Sequence, residues 1–191
     1  MHIGLFFGSF NPVHTGHMII AQHLANQSEI DQVWLVLSPH NPLKQKASLA
    51  NDYDRLHLVN LAIEDHTKIR SSRVEFKLPQ PSYTIDTLAY LKESHPDHRF
   101  SLIMGSDNLI SLNKWKNYEL LLANHLIYIY NRTQALEPNE FNTHPNVKFC
   151  KAPLIEISST EIRNMIRSGL SIRYLVPEKV FDYLQGSKMY K

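Results

Sequence analysis

A chain of 191 residues with a net charge of only +2, its eleven histidines counted neutral, is long enough for one full core and lacks the basic surplus of a non-specific nucleic-acid binder. Its single cysteine, Cys150, excludes an internal disulfide and a four-cysteine zinc site, and reads as a small buried residue of an intracellular protein. No apolar run reaches the roughly 20 residues of a membrane span, and the N-terminus has no basic stretch followed by an apolar one, so a cytoplasmic chain is expected.

Residues 3–7 (I-G-L-F-F) make a short apolar run suited to a strand buried on both faces of a parallel sheet. Gly8, Ser9, Asn11 and Pro12 then form its exit loop, and Thr15, Gly16 and His17 open a helical pattern whose free N–H groups point back at the loop. A strand, a tight loop and a helix N-terminus together make an anion site, fit for a phosphorylated small molecule. His14 and His17 stand at its mouth, three positions apart and on nearly one helical face if the helix has begun by His14. Residues 18–28 carry Ile20, Ala21, Leu24 and Ala25 at helical spacing, and 33–37 read as a second strand, completing a βαβ unit. Residues 38–50, with two prolines, two lysines and no steady period, form a loop long enough to be functional.

Asn51 or Asp52 caps a helix over 53–65, with Leu56, Val59 and Ile63 on one face. Residues 69–78 read as extended. After Pro79 and Pro81, Thr84 is the expected cap of a helix over 85–93 with Asp86 in its first turn. Residues 99–104 form a strand closed by Gly105, Ser106 and Asp107; 109–122 hold one or two short helices; 125–130 and 147–150 are two further strands separated by a polar loop. From about residue 158 the chain turns helical, with Ser158 and Glu161 as a capping box before Ile162, Met165 and Ile166, and Pro177 in the first turn of a last helix carrying Val180, Phe181 and Leu184. The alternation predicts an α/β fold: a doubly wound, mostly parallel sheet with helices on both faces, one domain over 1–191, with ligands bound beyond the C-terminal strand ends.

The run G-S-F-N-P-V-H-T-G-H over 8–17, together with I-S-S-T-E-I-R over 157–163, resembles the Rossmann-like nucleotidyltransferase superfamily, which carries an H-x-G-H motif and a late S-x-T-x-x-R-type motif. Within it, P-S-Y-T-I-D-T-L over 81–88, then Gly105-Ser106-Asp107, then Trp115 are similar to the nicotinate-nucleotide adenylyltransferases, and the resemblance spans nearly the whole chain. It implies transfer of AMP from ATP to nicotinate mononucleotide, giving deamido-NAD and pyrophosphate in NAD biosynthesis. In two places the chain departs from the family pattern. Residues 39–44 read P-H-N-P-L-K where many members have an uninterrupted proline-histidine-lysine, and Ser9 and Asn11 stand where others carry Thr and Asp, exchanges that keep the hydrogen-bonding type.

In such a reaction the attacking oxygen belongs to an ionised phosphate, so no general base is needed and the protein must supply donors. The resemblance assigns His14 and His17 to the α-phosphate and the bridging oxygen, with Arg163 as the third catalytic candidate, binding the β- and γ-phosphates bidentately. It assigns ATP binding to Gly8, Ser9, Phe10, Gly16, Gly105, Asp107, Ser158, Ser159 and Thr160, with Asp107 accepting from the ribose. For the acceptor it implies Trp115 against the pyridine ring, Tyr83 and Thr84 beside it, Lys44 facing phosphate and Arg132 as a further nucleotide contact; an aromatic face with N–H donors favours nicotinate over nicotinamide. Mg2+ is expected on the triphosphate, mostly hydrated, with no protein residue assigned as its ligand.

Read alone, 158–163 is an ordinary capped surface helix, and only its pairing with the N-terminal loop makes it a phosphate site; Trp115 is equally a core aromatic, and Arg55, Lys46 and Arg167 equally solvated charges. A zinc reading of His14 and His17 finds no nearby Cys or carboxylate to complete it. A sister transferase acting on nicotinamide mononucleotide or another phosphate acceptor is the nearest alternative. A redox dinucleotide binder lacks its G-x-G-x-x-G loop, since Gly4, Gly8 and Gly16 have the wrong spacing. Neither nucleic acid nor membrane is expected as a partner, and a homo-oligomer is left open.

Overall fold

The computed structural model describes residues 1–27, 29–39, 49–132 and 139–191. Six strands form one sheet: β1 (His2–Gly8), β2 (Gln32–Leu37), β3 (Ile69–Ser72), β4 (Arg99–Gly105), β5 (Ile127–Tyr130) and β6 (Val147–Cys150). Their order is β3-β2-β1-β4-β5-β6 and every pair is parallel. The chain thus winds outward from β1 in one direction and then from β4 in the other, which leaves a switch point between those two strands. Because all strands run the same way, the loops after β1, β2, β3, β4, β5 and β6 share one edge of the sheet.

Alternation along the central strands divides the core. Phe6, Leu35, Ile103 and Tyr130 face the layer containing α1 (Thr15–Gln27), α2 (Asp52–Ile63), α6 (Ser159–Arg167) and α7 (Glu178–Gly186). Leu5, Val36, Leu102 and Ile129 face the opposite layer, built from α3 (Thr84–Ser94), α4 (Ser106–Ile110) and α5 (Tyr118–Asn124). The expected helices on both faces are present, and no described helix is long and apolar enough to cross a membrane.

Three local expectations are corrected. The extended reading of 69–78 holds only to Ser72, where pairing with β2 ends; Val74–Lys77 is a 3-10 turn that sends Val74 to one core and Phe76 to the other. Thr84 is the first residue of α3 rather than its cap. Tyr83 occupies the cap position and makes no side-chain capping bond. Cys150 is half-buried, because β6 is an edge strand, and burial pushes its thiol up to about 11.

Candidate active site

The loop after β1 is held from several directions. Phe10 adopts a left-handed backbone (φ 43) while its ring lies fully buried, edge-on to Phe6 and to the His17 imidazole. Gly8 makes that possible, since a Cβ there would stand 2.8 Å from the Phe10 ring. The main clamp is Arg55 on α2, fully buried, whose guanidinium donates to the carbonyls of Ser9, Ser38 (3.2 Å) and Ala50 (3.0 Å) and pairs with Asp52 at 2.6 Å. One cation thereby joins the exits of β1 and β2 to the start of α2.

His14 caps α1, its carbonyl accepting the His17 N–H at 3.0 Å, and the two imidazoles stack with centroids 3.6 Å apart. The His14 backbone N–H donates to His17 Nδ1 at 3.2 Å, so neutral His17 carries its proton on Nε2. His14 is 4% exposed and its Nδ1 has no hydrogen-bond partner. Burial first, and then the charge of Arg132, hold its imidazole down to about 4, so it is neutral at physiological pH. Gly16 gives that ring its room: a Cβ would lie 3.1 Å from His14 Nδ1 and 3.2 Å from Ile155. The α1 N-terminus is less open than the sequence suggests, because the Thr15 N–H is given to the Leu175 carbonyl at 2.9 Å.

The late motif reaches back to this loop. Ser158 caps α6 by accepting the Glu161 N–H at 3.1 Å. Ser159 donates its hydroxyl to the Pro12 carbonyl at 2.9 Å, and Arg163 donates to the Asn11 carbonyl at 2.8 Å and to Thr160 Oγ1 at 3.3 Å, leaving its Nε buried and unpartnered. Between the two motifs lies a cavity of about 210 Å³ bordered by His14, Gly16, His17, Tyr130, Arg132 and the segment 155–158. Arg132 lies 3.7 Å from half-exposed Asp107 and 3.5 Å from the Tyr130 hydroxyl. Its approach depends on Gly105, where a Cβ would come within 3.2 Å of Arg132 Nε.

On the other face, the start of α3 meets the segment after the 3-10 turn Leu112–Lys114. Lys116 bonds Asp86 at 2.8 Å and lies 4.8 Å from the Tyr83 ring centroid, which ties the segment holding Trp115 to the start of α3. Trp115 packs against the core with its indole N–H buried and unpartnered, and the buried Ser82 hydroxyl is likewise unpartnered. In the first turn of α3 the Asp86 N–H is already given to the Tyr83 carbonyl at 3.1 Å, so any anion there would meet the N–H groups ahead of it. Among the described residues, no three His, Cys, Asp or Glu side chains gather to hold a metal ion.

The cytidylyltransferase-like family model matches residues 5–165. Full-length relatives include the probable nicotinate-nucleotide adenylyltransferases of Flavobacterium psychrophilum (55% identical over 193 residues, 100% of both chains) and Bacteroides fragilis (42% over 178 residues, 93% of this chain and 88% of the relative). The chain belongs to the cytidylyltransferase-like family and, within it, to the nicotinate-nucleotide adenylyltransferases. The fold is shared with the Plasmodium falciparum nicotinic acid mononucleotide adenylyltransferase complexed with NaAD, at a TM-score of 0.80 and 22% identity over 99% of this chain and 97% of that one.

In this adenylyltransferase, then, the structure brings the two sequence motifs together: His14, His17 and Ser158 border one cavity, and Ser159 and Arg163 bond the loop that contains Gly8, Ser9 and Phe10. Arg132 borders that same cavity, while the start of α3, with Tyr83 and Thr84, and Trp115 lie on the opposite face of the sheet. Lys44 lies outside the described residues, as does Lys46. Arg55 is no solvated charge; the signal was its periodicity, since Arg55, Leu58, Val59 and Ile63 form the buried stripe of α2. Asn131, whose side-chain oxygen is buried without a partner, and Ile155 also border the cavity, and neither carried a motif.

Proposed function

We propose that this chain transfers AMP from ATP to nicotinate mononucleotide, giving deamido-NAD and pyrophosphate. The observation that carries the reaction is a neutral, buried His14 with an unpartnered Nδ1, stacked on His17 and facing Arg132, in a cavity at the C-terminal strand ends. Such a set offers N–H donors, and attack by an already ionised phosphate calls for no general base. An acceptor phosphate oxygen bonds to the α-phosphorus as the bond to the bridging oxygen breaks, and pyrophosphate leaves with that electron pair. His14 and His17 donate to the α-phosphate and the bridging oxygen, stabilising charge that grows during transfer. Arg163 and Thr160 hold the outer phosphates, and Asp107 and Arg132 contact the nucleotides. Mg2+, carried on the triphosphate, supplies neutralising charge to the departing pyrophosphate.

The acceptor's carboxylate sits at the N-terminus of α3, where helix N–H groups and the positive end of the dipole favour an anion. Lys116 offsets the nearby Asp86, and Trp115 gives the ring an aromatic face. The whole chain works as one nucleotidyltransferase unit in the cytoplasm. Pyrophosphate release with ATP and Mg2+, measured with nicotinate mononucleotide and nicotinamide mononucleotide in parallel, tests the reading. Strong preference for the acid is expected; preference for the amide overturns the acceptor, and silence with both overturns the reaction.

A further inference from the structure

Glu75 sits in the 3-10 turn Val74–Lys77 between β3 and α3, and is only 2% exposed. A carboxyl so deep needs partners, and those it has come from other segments. Thr87 on α3, fully buried, donates its hydroxyl to Glu75 Oε1 at 2.9 Å. The same hydroxyl lies farther, at 3.3 Å, from the Tyr83 carbonyl of its own helix, so its one proton is drawn out of the helix toward the turn. The hydroxyls of Ser82, just before α3, and of Ser38, just after β2, also face this carboxyl, yet Glu75 Oε2 and the Ser82 hydroxyl both stop short of a full hydrogen bond. Burial raises the carboxyl above its ordinary range, and the Ser38, Thr87 and Ser82 hydroxyls offset part of that.

Ser38 belongs to the knot that holds the β1 loop, its N–H bonded to the Gly8 carbonyl at 3.0 Å and its carbonyl accepting from Arg55. Glu75 is therefore a junction: one side chain faces both that knot and the start of α3. We propose that Glu75 is a positioning residue for acceptor recognition, its carboxyl fixing the first turn of α3 against the end of β2 and so setting where the acceptor's ring and carboxylate are held. This rests on the proposed adenylyl transfer to a pyridine mononucleotide.

The test compares Glu75→Ala, Glu75→Gln, Thr87→Val and Thr87→Ser in the full chain, by steady-state pyrophosphate release and by backbone amide exchange over residues 82–91. Loss of a buried acceptor in E75A, or of its donor in T87V, is expected to raise the Michaelis constant for nicotinate mononucleotide about tenfold and leave that for ATP within about twofold. Exchange speeds up in the same two variants, confined to the first turns of α3. Gln and Ser keep an acceptor and a donor at the two ends, so E75Q and T87S hold near the unsubstituted values. If E75A unfolds, T87V, of nearly unchanged volume, removes the same bond from the other end. Equal rises in both Michaelis constants, or equal damage from E75Q and E75A, overturn the assignment of Glu75 alone. No turnover of nicotinate mononucleotide by the unsubstituted enzyme overturns the reaction, and the acceptor role of Glu75 with it.

Discussion

His14 couples the chemistry of the site to the stability of the fold in a way that pH can read. In the unfolded chain its imidazole titrates at 6.5; folded, burial and the Arg132 charge bring it down to about 4. The unfolded state therefore takes up its proton first as pH falls. The contribution is whole above about 6.5, erodes below it, and is lost as pH passes through 4. The gap between 6.5 and about 4, at about 1.36 kcal/mol per pH unit, amounts to about 3 kcal/mol. Urea denaturation of the unsubstituted chain and of His14→Asn, compared from pH 7.5 to 4, isolates the effect. The buried His2 and half-buried His125, whose imidazoles burial also lowers, remain in both proteins and cancel. The unsubstituted chain should lose about 3 kcal/mol more than the variant over that span. Parallel stability curves would refute both the buried neutral imidazole and the donor role argued from it.

Two substitutions separate the geometry of the site from the integrity of the fold. Gly16→Ala places a methyl 3.1 Å from His14 Nδ1 and should cut kcat about tenfold by displacing the ring. Ala also suits a helix better than Gly, so thermal unfolding should show no loss of stability, and unchanged turnover would remove the close approach from the argument. Arg55→Lys keeps the charge but not the fork that serves three carbonyls, so buried acceptors are left unpaired and about 2 kcal/mol or more of stability is lost in urea unfolding. A loss within experimental error would show that the Ser9 and Ser38 carbonyls find other donors.

Much of the architecture was legible because the strands are short apolar runs and the helices carry regular stripes: β1, β2, β4 and the last two helices are where periodicity placed them. The turn at Val74–Lys77 was not, since Val74 and Phe76 alternate with Glu75 and Lys77 as a strand would, and only the end of β2 decides that pairing stops at Ser72. The motif histidines were legible as chemistry, yet their stacking and the depth of His14 depend on Gly16 and Ile155, which are far apart in sequence. Arg55 and Glu75 were misread or unread for one reason: a charged side chain on a buried face is recognisable only when its partners are known, and theirs come from three or more segments.

The strand order is shared with dinucleotide-binding redox folds, so topology alone does not choose between holding a dinucleotide and making one. The choice lies in the segment between β1 and α1. A glycine-rich fingerprint turns from strand to helix at once and lays pyrophosphate on the helix N-terminus. Here residues 9–14 intervene, and the Thr15 N–H at the helix start is already bonded to Leu175. That longer loop does not hold itself: it crosses the sheet edge with Phe10 in a left-handed conformation, clamped by Arg55 from α2 and by Ser159 and Arg163 from α6. The clamping sets two imidazoles above the sheet, where helix N–H groups would otherwise be the donors. Both kinds of donor can stabilise charge on a phosphate; the difference here is that the imidazoles stand on a loop held by side chains of two other helices, whereas N–H donors of a helix start are fixed by the helix itself. The clamps are thus what hold the two histidines in place, and the late motif meets the site both directly, through Ser158 at the cavity, and through the loop that Ser159 and Arg163 hold.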